Sequence, residues 1–206
     1  MPRTVDHEQK RTDLADALAR VAARDGLEAV SMRAVASEAG VSLRQVQYYF
    51  HSREELLIGA LRRLEVQSNA RWTSRLVNCG TAATPRQILE AFIAEALPTD
   101  EPSTDFYRVS AAFTRLAISN PALAAEPLAG GISRLRASVL GAFRSAYAAN
   151  SLTAGADPEA EADALIALCN GLSTAVLIGH HSAERAVDVA TYHLDRLIRQ
   201  DHSPPD

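Results

Sequence analysis

Lysine is nearly missing from this chain, with Lys10 alone beside twenty arginines, a bias of GC-rich coding rather than of physics. Cysteine is as scarce: Cys79 and Cys169 are too few and too far apart to define a disulfide framework or a metal site, which points to a reducing compartment. Aromatics make up only 5% while alanine abounds, a composition that suits close-packed helices and disfavours a β-sandwich. No segment alternates in the period of a strand. The opening "MPRTVDHEQKR" has no apolar core of a signal peptide. The longest apolar run, "ALIALCNGLSTAVLIG" at 164–179, falls just short of the roughly 18 residues that a span needs and carries Asn170, Ser173 and Thr174. A buried helix of a soluble, cytoplasmic protein is the expectation.

Catalytic signatures are also lacking. No dinucleotide-binding or phosphate-binding glycine loop occurs. "GLSTA" at 171–175 lacks the last glycine of a nucleophile elbow and falls inside a helical segment. His180, His181 and Glu184 could approach a metal, but a solvated loop satisfies the same spacing. The chain therefore reads as no enzyme, with no cofactor and no metal.

What is present is a helical protein with ample apolar residues, 47% of 206, for a real core. Net charge is −4, so the whole is no polycation, yet residues 1–75 carry twelve basic against ten acidic residues and residues 76–206 carry nine against fifteen. A mildly basic amino-terminal part permits local phosphate binding. Punctuation predicts helices over about 7–25, 32–39, 43–50, 53–77, 85–97, 104–119, 121–126 and 128–149, then the apolar helix after Asp157-Pro158 and a last one from Ser182 to Gln200. Ser42 with Gln45 and Ser52 with Glu55 read as capping boxes, and Gly40 suits a left-handed turn. The fold class is all-α, about nine to ten helices, with "NCGTAATP" the clearest linker.

Residues 31–50 fit two short helices joined by a glycine-containing turn, a helix-turn-helix. On the second helix Leu43, Val46 and Phe50 face a small core with Val35, Ala36 and Val41. That turns Arg44, Tyr48 and His51 outward, flanked by Gln45 and Gln47. Such a row fits the major groove, where Arg pairs with guanine and Gln with adenine. Ser31, Arg33, Ser42 and Arg53 sit at or near helix starts, where phosphates are met. A capped, solvated surface helix has the same spacing.

The stretch "LADALARVAARDGLEAVSMRAVASEAGVSLRQVQYYFHSREELL" resembles the DNA-binding domain of the TetR family of bacterial transcriptional regulators, over roughly residues 10–60. The resemblance implies Ser31 and Arg33 near phosphates, and Ser42, Arg44, Gln45, Gln47 and Tyr48 on a recognition helix. Tyr49 stands where the family often has tyrosine, and Arg53 replaces its usual lysine. Arg44 stands where the family often has glycine and Gln47 where it often has tyrosine. The domains implied are 7–52 for DNA binding, 53–77 as a connecting helix, and 78–201 for ligand binding and dimerisation.

The carboxy-terminal part supports a dimer on its own terms. Ala167, Gly171, Ala175 and Gly179 recur every four residues as a smooth ridge, and a helix apolar nearly all round must be covered all round. Burial within one chain is the other reading. Trp72, Phe92, Phe106, Tyr107 and Phe113 can line a ligand pocket or be plain core. Asn170, Ser173 and Thr174 can orient a ligand, bond backbone or bond the opposing subunit. The function expected is that of a homodimeric repressor of a palindromic DNA operator, released by a small, largely apolar effector. The alternatives are an activator, a regulator that answers to a protein, or a helical interaction module or enzyme.

Overall fold

Polar residues at the amino terminus extend the first helix further than its apolar period requires. In the computed structural model, which describes residues 3–26, 29–78, 83–119 and 127–198, α1 is Arg3–Asp25, starting ahead of the expected His7. Its inner stripe of Leu14, Leu18 and Val21 is fully buried. The Ser31 hydroxyl accepts the Ala34 N–H at 3.1 Å and opens α2, Met32–Glu38. Gly40 follows with φ +63°, the left-handed conformation that a Cβ would penalise. Ser42 then caps α3, Leu43–Tyr49, accepting from Gln45 at 3.2 Å, and Phe50 leaves the helix in an extended conformation.

α4 is Arg53–Asn78. The Ser52 hydroxyl accepts the Glu55 N–H at 3.1 Å, but the Glu55 carboxylate reaches back to the N–H of His51, one residue beyond the box expected. α5, Pro85–Ala96, opens with a complete box between Thr84 and Gln87 and Pro85 in its first turn. α6 is Glu101–Ser119 and starts earlier than the predicted residue 104. "PTDEPS" had read as a break, yet Pro102 lies in the first turn, where no N–H is needed, and the Asp100 carboxylate caps the Ser103 N–H at 2.8 Å. α7 is Pro127–Ala148, α8 Pro158–Leu177 and α9 Ala183–Leu197. The short helix expected over 121–126, half of the linker and the tail fall outside the described residues. Among the described residues the chain is helical with no strand, and one isolated bridge joins Leu152 to Ile198.

The chain divides into two compact units, Met1–Ser68 with Asp105–Gly130, and Asn69–Thr104 with Gly131–Asp206. In the first, Val35 and Ala36 of α2, Val46 of α3 and Phe50 meet Leu14 and Leu18 of α1 and Leu56 and Leu61 of α4. Val109, Phe113 and Ala117 of α6 complete that core. Each large buried side chain contributes about 1.5–3 kcal/mol. Glu38 ties α2 to α1 by accepting from Arg20 at 2.8 Å and Arg24 at 3.0 Å, and these bonds, Arg20's first, hold its carboxyl below the usual range. Asp16 binds Arg63 of α4 at 2.7 Å.

The second unit packs Trp72, Leu89, Phe92, Phe143, Leu165 and Leu194. Glu95, buried on α5, accepts from Arg71 at 2.6 Å, which pairs a charge that burial would otherwise make costly. α9 presents Ala186, Ala190 and Leu194 to this core along one face. α8 has the length and composition of a membrane-crossing helix, with a mean hydropathy of 1.3 over its most apolar window. It is anchored by Leu165, Cys169 and Leu172, and its Ser173 hydroxyl donates to the Ala96 carbonyl at 2.9 Å. The expected all-round burial is not met within one chain: 28% of that window is buried, and Ala164, Ala167, Gly171 and Thr174 face solvent.

Candidate nucleic-acid interface

Two residues seat α3. Val46 and Phe50 are fully buried, and the Phe50 ring lies against Gly59 of α4, where a Cβ would come within 2.8 Å of it. Leu43, expected as a third anchor, is only half-buried and outside the core cluster, because the first turn of so short a helix projects past its support. Tyr49 is half-buried and packs on the core. Arg44, Gln47, Tyr48 and His51 are exposed, Gln45 half so, and Tyr48 retains 66% of its surface.

A lack of partners distinguishes the polar side chains of this face from the arginines elsewhere. Arg20, Arg24, Arg63, Arg71, Arg86, Arg136 and Arg144 are each ion-paired. By contrast the side chains of Arg33, Arg44, Gln45 and Gln47 make no hydrogen bond, ion pair or ring contact among the described residues. Only the Ser42 half of its capping box forms, which leaves the Gln45 amide uncommitted. The hydroxyls of Ser31 and Ser42 accept backbone N–H groups and keep their own protons to donate. Arg53 is half-buried, with its Nε donating to the Val30 carbonyl at 3.0 Å, so one edge of its guanidinium is already used.

Two residues that the sequence reading did not single out lie beside this face. The imidazole of His7 on α1 has its centroid 4.6 Å from the Tyr49 ring and 5.9 Å from that of Tyr48, and the two tyrosine rings meet edge to face at 5.1 Å. Arg11 sits 5.0 Å over the Phe50 ring. The signal was spacing: residues 7, 11 and 14 continue the buried stripe of α1 backwards at helical intervals.

The candidate ligand residues are divided between the two units. Phe106, Tyr107 and Phe113 belong to the first unit, where Phe113 is core and Phe106 packs against it. Trp72 and Phe92 belong to the second and meet edge to face at 6.2 Å inside its core. The Trp72 Nε1 is buried with no acceptor among the described residues. Ser173 bonds backbone, Thr174 donates to the Asn170 carbonyl at 3.0 Å, and Asn170 is exposed. A cavity of about 210 Å³ opens among Glu90, Ile93, Ala94, Thr99, Val187 and Thr191, none of them among those eight. Among the described residues no three His, Cys, Asp or Glu side chains are placed to hold a metal. His180 and His181 pair with each other at 4.8 Å in the turn after α8. Of the small-residue ridge, Ala167 and Gly171 are exposed and Ala175 half-buried. Gly179 lies past the helix end with φ +73°, so the turn itself accounts for that glycine.

A helix-turn-helix carrying unpaired cations and amides on an all-helical scaffold defines a class. Residues 14–60 match the bacterial regulatory proteins of the tetR family, and residues 85–199 match the BetI-type transcriptional repressor, C-terminal family. The chain belongs to the TetR family, whose members are DNA-binding transcriptional regulators and not enzymes. Among particular relatives, it is 28% identical to the HTH-type transcriptional regulator PksA of Bacillus subtilis, over 98% of this chain and 96% of that one. It is 34% identical to the HTH-type transcriptional regulator BetI of Rhizobium meliloti over 103 residues, 49% of this chain and 48% of that protein. Its fold is that of a transcriptional regulator from Saccharomonospora viridis solved in complex with choline, with a TM-score of 0.84, 22% identity, and coverage of 94% of this chain and all of that one.

Proposed function

We propose that this regulator is a cytoplasmic homodimeric repressor that holds a palindromic operator and releases it when a small, largely apolar effector binds. The observation that carries the DNA half is the uncommitted face of α3. Arg44 and Gln47, free and exposed, read base edges, with Gln45 beside them. Tyr48, Tyr49, His51, Ser31, Ser42, Arg33 and Arg53 meet the backbone or the groove wall. Residues 7–52 act as the reading domain, 53–77 as the connecting helix, and 78–201 as the effector-binding and dimerisation domain.

The open face of α8 supports the dimer. A helix with this hydropathy and solvent along Ala164, Ala167 and Gly171 is stabilised by a second copy, and small residues let two backbones approach closely. Two-fold pairing presents two copies of α3 to two half-sites about one helical turn apart. The effector half is supported by the apolar interior of the second unit, where the unpaired Trp72 N–H offers one donor to a ligand. Choline, the ligand of the Saccharomonospora protein, is the first probe to titrate. Trp72 is the chain's only tryptophan, so its fluorescence reads the end of the connecting helix that packs on the second unit's core. An effector can shift the DNA-binding equilibrium only by its differential affinity for the two states.

The test is competition. The purified protein should prefer the intergenic DNA upstream of its own gene over random duplex at physiological salt, and binding should weaken steeply as salt rises. No preference, or a reporter driven upward by the protein, would refute repression at that site.

A further inference from the structure

Resting on the DNA-binding role proposed for α3, we propose that His7, outside the region matched to the family, is a positioning residue for the recognition-helix tyrosines, acting through Tyr48. The evidence is a three-ring cluster built across two helices. Tyr48 is the most exposed ring of α3, and α3 ends one residue later, so the helix itself does little to fix that side chain. Tyr49 packs on the core and turns its ring to the Tyr48 edge at 89°. His7 closes the cluster from outside, 4.6 Å from Tyr49 and 5.9 Å from Tyr48, and faces the latter at 69°. His7 is itself held in register, because Arg11 and Leu14 share its side of α1. Arg11 rests over Phe50, and Leu14 is fully buried in the core.

Offset and edge-to-face rings at these separations attract. Their effect on an exposed tyrosine is to narrow its rotamers before DNA arrives, so less side-chain freedom is lost on binding. The family match begins at residue 14, while α1 reaches back to Arg3. The turns before that boundary thus give this chain a support for Tyr48 outside the matched region.

The experiment uses the full chain and a duplex selected from a random pool by the wild-type protein, with thermal unfolding as the control for folding. His7→Ala should bind that duplex about 3- to 10-fold more weakly with an unchanged unfolding midpoint. His7→Phe, which keeps a ring but no nitrogen, should return to within about twofold of wild type. In a Tyr48→Ala background, adding His7→Ala should cost nothing more. Unchanged affinity for His7→Ala would overturn the proposal. So would a His7→Phe variant as weak as His7→Ala, which would assign the effect to an imidazole contact with DNA, or additive losses in the double variant. If the wild-type protein enriches no sequence at all, the DNA-binding reading itself fails, and the selection step alone reports that.

Discussion

Gly59→Ala sets two effects of opposite sign against each other. Replacing a glycine inside a helix such as α4 normally stabilises by about 0.5–1 kcal/mol, since the unfolded chain loses freedom it would otherwise have. Here the added Cβ would stand 2.8 Å from Cε1 and 3.3 Å from Cζ of Phe50. Carbon atoms prefer about 3.5–4.0 Å, so the ring must retreat by about 0.7 Å or more. Phe50 has no exposed surface and lies in a filled core with Leu14, Val46 and Leu56. Overpacking of that kind costs about 1–3 kcal/mol, so the net should be a loss of about 1 kcal/mol, or roughly 2–4 °C in the unfolding midpoint of a chain this size. The loss should also reach DNA affinity, because Phe50 is the C-cap of α3 and its backbone must follow the ring. Gly141→Ala in α7 is the control: nothing lies within 4 Å of a Cβ there, and its midpoint should rise. Both are read by calorimetry at one fixed protomer concentration, since a dimer's midpoint depends on it. If Gly59→Ala stabilises as Gly141→Ala does, the close seating of Phe50 on α4 is wrong.

Other perturbations separate the remaining roles. Arg44→Ala should relax base preference at one position per half-site by about 1–3 kcal/mol in a selection experiment, and a uniform loss across sequences would deny it base reading. Arg33→Ala should do the opposite, lowering affinity for every sequence and reducing the salt slope by about 0.9 per protomer, as loss of one phosphate contact requires. Gly171→Ala meets open space within one chain, so sedimentation should show a weakened dimer if α8 pairs with its copy; a stabilised, intact dimer would remove Gly171 from the contact. Burial pushes the Cys169 thiol up to about 12 from an ordinary 9.0, which keeps it neutral in the fold. In a Cys79→Ser background a thiol reagent at pH about 8 should therefore modify Cys169 only as fast as the chain opens. A raised acid favours the folded state below its unfolded value, so this contribution is intact below pH 9.0 and lost as pH rises through about 12.

Local punctuation made the helices readable before any coordinates. The Thr84-Pro85-Gln87 box and Gly40 sit where their backbone chemistry demands, and the structure uses both. Pro102 misled for a related reason: proline breaks a helix interior but not a first turn, and residue type alone does not say which turn it occupies. The alternation of anchors and free groups on α3 was legible from spacing, save that Leu43 lies beyond the reach of the core. The aromatic residues of α6 were not, since an apolar period satisfies any core and Phe113 serves the one around α3. Nor could composition reveal which side of α8 stays open, because a stripe of alanine and glycine reads the same buried or bare.

The contribution of α6 to the first core has a consequence during synthesis. Val109, Phe113 and Ala117 are translated well after Phe50, with α5 and the linker between. A nascent chain whose helix-turn-helix has left the ribosome lacks these side chains until about sixty more residues have emerged, several seconds at ordinary elongation rates. The reading head is thus unfinished on any message cut short before α6. Truncated products should be cleared as unfolded chains rather than persist as half-made competitors on the chromosome.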